Sequence, residues 1–162
     1  MTAISPNVPA ADPPLAGLTV EDVMVAAPKT MLPTATVAEA RAFFADDHLH
    51  MALITRRGRL VGTLVRSDLA ELGDDAAPAL SRSRLDGRSV NLHEAAEDVR
   101  VRLIRHGQRR LAVVDDTGLL AGLVCLKRKL TGFCSDADVA ERLAESPAAH
   151  GPVAFRCMPI AR

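Results

Sequence analysis

The sequence predicts an α/β (α+β) fold built from two copies of one small unit, and three observations predict it. One pattern of apolar residues and glycines occurs twice, sixty positions apart: Met51, Leu53, Ile54, Gly58, Leu60, Gly62 and Leu64 return in kind as Leu111, Val113, Val114, Gly118, Leu120, Gly122 and Val124. Each copy alternates short β-prone runs with stretches of helical periodicity, in the order strand, helix, strand, strand, helix. Neither copy is long enough to bury both faces of its own sheet, so the two are expected to fold by packing on each other. The cleft between them is then the natural place for a ligand.

The elements follow in order along the chain. Residues 1–17 are rich in Pro, Ala and small polar residues without periodicity, and a flexible arm is expected there. A short amphipathic helix is expected from Leu18 to Met24, after which Pro28 and Pro33 bracket Thr30 to Leu32 as an extended piece. Thr36 and Glu39 make a capping box, and Val37, Ala40, Phe43 and Phe44 share one face of a helix expected to end near Asp47. Met51–Thr55 and Leu60–Val65 are the strands of a hairpin with Gly58 in its turn, and a second helix is expected to begin near Ser67. Gly73 to Ser83 reads as a connector, with a helical turn around Ala76 to Leu80.

The second copy opens at Ser89 to Leu92, where Asn91 and Glu94 offer a capping box for a helix running to about Arg105, ended by His106 and Gly107. Leu111–Asp115 and Leu119–Cys125 form the second hairpin around Asp116, Thr117 and Gly118. Ser135 and Asp138 cap a last helix expected to reach Glu145, while Pro147–Arg162 shows neither a helical nor a strand pattern. The expected organisation is an arm 1–17, a first repeat 18–73, a connector 74–88, a second repeat 89–132, and a terminal helix and tail 133–162.

Composition excludes several classes. Aromatic residues are only 2% of the chain, so the core must be aliphatic and base stacking on a nucleic acid is not expected. Twenty acidic residues balance twenty basic ones, which removes the long-range field of a general polyanion binder and confines any anion site to a local cluster. Cys125, Cys134 and Cys157 are odd in number and lack CxxC spacing, which argues against a disulfide framework and a zinc knuckle and for a reducing compartment. No stretch approaches the roughly 20 apolar residues of a membrane span. A soluble cytoplasmic protein is expected, with neither nucleic acid nor membrane as partner. The chain contains no nucleophile elbow, Walker loop or HExxH, so no enzymatic activity is expected.

Several of these residues carry a family resemblance. Asp22-Val23-Met24, the capped helix start Thr36–Ala40, the hairpin segment Arg57–Gly62 and an Asp six residues after Gly62 resemble a CBS domain, named for cystathionine β-synthase. In the second copy the stretch Arg109–Val124 is the more typical one, and the resemblance covers roughly residues 18–130. It implies two repeats packed about a pseudo-twofold axis, with clefts that often hold adenine nucleotides or adenosylmethionine. It also implies a regulatory role and dimerisation, a homodimer being the common soluble assembly.

The family's ribose-recognition pattern, GxxTxxD, is kept in part. Gly62 and Asp68 match in the first copy, but Val65 stands at the Thr position; in the second copy Gly122 is kept, while Cys125 and Arg128 replace Thr and Asp. Ala52 and Ala112 replace the usual Pro of each second strand. The resemblance therefore implies at most one competent site per chain, with Asp68 accepting hydrogen bonds from ribose hydroxyls, Gly62 letting the backbone approach the ligand and Arg66 on phosphate. Thr30, Met31, Met51 and Ala52 would wall the cleft. The second site, at Gly122, Cys125 and Arg128, is degenerate. Possible ligands are AMP, ADP, ATP or S-adenosylmethionine.

Asp68 near a helix start would equally serve as an N-terminal cap, and Arg66, Lys127, Arg128 and Lys129 would equally be solvated charges. His48 and His50 have the HxH spacing of a metal pair, with Asp46 or Asp47 as a third ligand, yet they also sit where a helix must stop. Two rival functions stay open. One is a dimerisation or protein-docking module without nucleotide, favoured by Val65, Cys125 and Arg128; the other is a redox- or metal-responsive protein using the Cys and His residues.

Overall fold

The computed structural model describes residues 14–70 and 73–138, together with the backbone of residues 155–157. The chain order is α1 (Val20–Val23), β1 (Lys29–Met31), α2 (Val37–Phe43), β2 (Ala52–Arg56), β3 (Arg59–Leu64), β4 (Ser89–Asn91), α3 (Ala96–Arg105), β5 (Arg110–Val114), β6 (Leu120–Cys125) and β7 (Phe155–Cys157). In each repeat the first strand runs parallel to the second, which forms an antiparallel hairpin with the third. The sheets have the orders β3-β2-β1-β7 and β4-β5-β6. The two repeats of the expected α/β unit are therefore present.

Local chemistry explains each element. Glu39 N–H donates to Thr36 Oγ1 and Thr36 N–H to Glu39 Oε2, both at 3.2 Å, so the capping box forms, and Val37, Ala40 and Phe43 turn inward from it. The first hairpin turns on Arg57 and Gly58, both at positive φ (52° and 80°), a pair that matches strand twist in a two-residue turn. The second turns on Gly118, with the Asp115 carboxylate accepting N–H bonds from Thr117 and Leu119.

The structure corrects the sequence reading at several elements. α2 stops at Phe43 and not near Asp47, because the Arg66 guanidinium donates to the carbonyls of Phe44, Asp46 and Leu49 and lies 5.5 Å above the Phe44 ring. The helix expected near Ser67 is a single 3₁₀ turn, Arg66–Leu69, and residues 71 and 72 lie outside the described residues. The connector turn lies at Ala79–Arg82, slightly beyond the expected position. The Asn91–Glu94 capping box does not form: Asn91 Oδ1 accepts from His93 N–H, Glu94 pairs with Arg102 at 3.3 Å, and α3 begins only at Ala96. Leu15, assigned to the arm, is buried in the core of the second repeat. Ser135 and Asp138 do make reciprocal cap bonds, with the rest of that helix and residues 1–13 outside the described residues. A strand occurs where the tail showed no pattern: β7 pairs antiparallel with β1, Thr30 opposite Arg156.

The two repeats are sewn together by exchanging their lead-in segments. α1 opens the first repeat but packs on the second, where Val20 and Met24 join a core with Val90, Val99, Leu103, Leu111 and Leu126. Val20 N–H donates to Glu94 O (2.9 Å), Ala96 N–H to Leu18 O (2.9 Å), and Val25 and Leu123 exchange a pair of backbone bonds. The connector repeats this on the first repeat: Ala79 N–H donates to Ala35 O (2.8 Å), Val37 N–H to Ala77 O (2.9 Å), and Thr63 exchanges a pair with Arg84. Between the two cores lies a third cluster, Met51, Leu53, Leu60, Ala112 and Leu120, and the hairpin tips meet through Leu60 N–H to Gly118 O and Leu120 N–H to Gly58 O.

Gly62 and Gly122 make the exchange possible. A Cβ on Gly122 would lie 2.6 Å from the Val25 carbonyl oxygen and 2.7 Å from Met24 Sδ, and one on Gly62 would lie 2.2 Å from Ser83 Oγ. Gly122→Ala should therefore cost about 1–3 kcal/mol, the range for overpacking, lowering the thermal midpoint by about 2–4 °C per kcal/mol for a chain of this size. Gly62→Ala should cost a similar amount, and Ser83→Gly should recover part of that loss because the obstruction is a side chain. Thermal unfolding of the three variants checks this, and equal stability of Gly122→Ala and wild type would reject the close approach.

Candidate functional site

The strands β2 and β5 start side by side at the junction of the repeats, and the residues just before and at those starts build a cationic pocket. His48 and His50 come from the segment after α2, Arg109 and Arg110 from the start of β5, and Arg128 from the loop after β6. With Asp47 as the carboxylate in its lining, they enclose about 510 Å³. A smaller neighbouring pocket of about 270 Å³ shares His50, Arg109 and Arg110 and is closed by Met51, Val65 and Arg88.

Electrostatics in this cleft disfavour further positive charge. His50 is pulled down to about 4, first by burial and then by Arg110, Arg66, Arg109 and His48. Arg110 is also lowered, chiefly by burial. Arg109 donates through Nη2 to the Leu126 carbonyl at 2.9 Å, but its buried Nε–H has no acceptor among the described residues. A buried donor without a partner is costly, and an anion is one group that would supply the missing acceptor.

The residues singled out from sequence are placed as follows. Asp68 is 5% exposed and gripped by both arms of Arg88, at 2.5 and 3.0 Å, while Oδ2 also accepts Val65 N–H at 2.9 Å. Burial raises its pKa, but the bonds from Arg88 and Val65 outweigh that and hold the carboxyl below its ordinary value. Arg66 is bound to the carbonyls at the end of α2. Thr30, Met31 and Ala52 are buried within the first sheet, Met31 and Ala52 in its core, and Met51 reaches the smaller pocket. Gly62 faces Ser83 and Gly122 faces Met24 and Val25. In the degenerate site Cys125 is buried against Cys134, and exposed Arg128 lines the cationic pocket. Among the described residues no group of three His, Cys, Asp or Glu could hold a metal ion.

Arg88, Arg109 and Arg110 did not emerge from the sequence reading. The signal for Arg110 was present in the repeat itself, since it stands sixty positions after His50.

His50 titrates near 6.5 unfolded and near 4 folded, so between these values the unfolded chain binds more protons. Its contribution to stability is complete above about pH 6.5 and is lost as pH falls toward 4; that of Asp68 persists to lower pH and is lost below its ordinary carboxylate range. His50→Gln should flatten the stability profile between pH 6.5 and 4, measured by urea unfolding at several pH values. An unchanged slope would place the histidine in solvent.

Comparison with known proteins agrees with this architecture. Residues 20–75 match the family model described as CBS domain. No curated protein sequence matches the chain. Among solved structures, the cytosolic domain of the Mg2+ channel MgtE in complex with ATP matches with a TM-score of 0.55 and 22% identity, over 64% of this chain and 44% of that one. This chain thus spans less than half of that protein's length. A putative acetoin utilization protein (AcuB) from Vibrio cholerae matches with a TM-score of 0.59 and 22% identity over 79% and 93% of the two chains. The CBS domain protein PAE2072 from Pyrobaculum aerophilum, complexed with AMP, matches with a TM-score of 0.58 and 20% identity over 78% and 99%. The CBS-domain model thus matches the first repeat, and the two repeats together share the fold of the CBS domain protein PAE2072.

Proposed function

We propose that this chain is a regulatory module that binds an adenine nucleotide or related adenosyl ligand in the cleft between its repeats. The phosphates would lie on Arg109, Arg110 and Arg128, and the nucleoside would lie toward Met51, Val65 and Asp68. The observation that carries this reading is the pocket itself: three arginines and two histidines around one carboxylate, with an unpartnered buried N–H, in a chain of zero net charge. Similar folds are described in complex with ATP and with AMP, which supports the ligand class.

The Asp68–Arg88 fork then supplies the response. Asp68 lies in the first repeat and Arg88 at the entrance to β4 of the second, so the pair is a clasp across the repeat boundary. Ribose hydroxyls reach Asp68 only by competing with Arg88, and a ligand that wins the carboxylate loosens the clasp. Its differential affinity for the loosened state is what a partner protein would read.

A docking module without nucleotide is the second reading, favoured by the internal use of both Asp68 and Arg66. Thermal unfolding against AMP, ADP, ATP, S-adenosylmethionine and inorganic triphosphate separates the two. At a hundred times its dissociation constant a ligand adds about 2.7 kcal/mol, a rise of roughly 5–10 °C here. Arg128→Gln, at an exposed position, should keep the unliganded midpoint and reduce the rise for phosphate-bearing ligands. A rise with S-adenosylmethionine alone would retain an adenosyl site and reject the phosphate assignment, and no rise with any of them would favour docking. Asp68→Ala should itself destabilise the chain by about 1–3 kcal/mol, because the half-buried Arg88 would lose its carboxylate and keep only the Thr63 carbonyl at 3.4 Å. The proposed homodimer is tested by sedimentation velocity with and without nucleotide.

A further inference from the structure

We propose that Cys125 and Cys134 form a reversible dithiol–disulfide couple whose state is transmitted to the cationic pocket through Arg110. The couple stands on its own geometry, and only its transmission rests on the proposed function. Cys134 N–H donates to the Cys125 carbonyl at 2.7 Å, and the neighbouring residues Leu126 and Phe133 form a bridge, so the two cysteines face each other on paired backbones. Their sulfurs are 3.4 Å apart and their residues 5% and 1% exposed. A disulfide needs an S–S distance of about 2.05 Å, so closure requires roughly 1.4 Å of approach. The turn between them, with exposed Lys129 and Leu130, makes that approach feasible.

Access and activation are both present. A separate pocket of about 270 Å³, lined in part by Leu18, Met24, Phe133 and Asp136, opens onto Cys134 and admits a small oxidant. Arg110 is hydrogen-bonded to the Cys125 sulfur, a contact that favours the thiolate. With a hydroperoxide as oxidant, one thiolate attacks the peroxide oxygen, giving a sulfenic acid and an alcohol or water. The second thiol then displaces water to form the S–S bond. Two thiols lose two protons and two electrons, and the peroxide O–O bond is reduced by them; a dithiol reverses the change by exchange. Closure draws Cys125 Sγ toward Cys134 and removes the acceptor of Arg110, whose guanidinium lines both the cationic pocket and its neighbour.

The test uses the full chain, reduced and then treated with hydrogen peroxide. Non-reducing peptide mapping should find a Cys125–Cys134 cross-link, with one of the three thiols still titratable and all three restored by dithiothreitol. A cross-link through Cys157, a bond between chains, or over-oxidation of both cysteines without a bond overturns the couple, and this readout needs no variant. Affinity for inorganic triphosphate should differ at least threefold between the reduced and oxidised chain and should be insensitive to peroxide in Cys125→Ala. Equal affinity in both states overturns transmission through Arg110 and leaves the couple to the map. Absence of binding in both states overturns the pocket assignment, and transmission with it.

Discussion

Each repeat of this protein is completed by a segment that belongs to the other, and the rest of the structure depends on that exchange. The lead-in strands at Val25 and Arg84 lie across Leu123 and Thr63, and both contacts need a residue without a side chain at the closest point. Gly62 and Gly122 meet that need by steric vacancy in conformations any residue could adopt, since neither has positive φ. The exchange aligns the two hairpins tip to tip and brings the starts of β2 and β5 together. A cleft lined by both repeats is the geometric consequence. Folding one repeat alone would leave the backbone bonds made by the exchanged segments and part of its core missing.

Charge is distributed by the same logic. The chain is neutral overall, yet five of its arginines near the repeat junction fall into two groups with different fates. Arg66 and Arg88 are spent inside the structure, one on the carbonyls that end α2 and one on Asp68. Arg109, Arg110 and Arg128 gather at one opening beside His48, His50 and Asp47, with Asp46 paired to His48 at 3.5 Å. Clustered cations in partly desolvated surroundings repel one another, and under the proposed function an anion would relieve that repulsion. The depressed titration of His50 measures the same field.

Arg110 connects this field to the interior. It lines the pocket on one side and meets the Cys125 sulfur on the other. Cys125 is buried beside the pocket while Arg128, after β6, lines it.

The repeat, its strand-helix-strand-strand order and the hairpin turns were determined by the sequence, because local propensities and a duplicated apolar period specify them without reference to distant residues. The end of α2, the start of α3 and the strand β7 were decided only in the tertiary structure. A helix ends early where Arg66 claims its carbonyls, and a strand forms in a patternless tail where β1 offers an unpaired edge. The site divides in the same way. Asp68 and Gly62 were visible as motif positions, but the partner that holds Asp68 lies twenty residues on, and the surface that Gly62 admits belongs to the connector. The arginine pocket draws on segments far apart in sequence, and the sulfur pair depends on how the chain turns back after β6. Propensity and periodicity act within about one turn or one strand, whereas the chemistry here arises from contacts made by exchange between repeats, which local sequence does not encode.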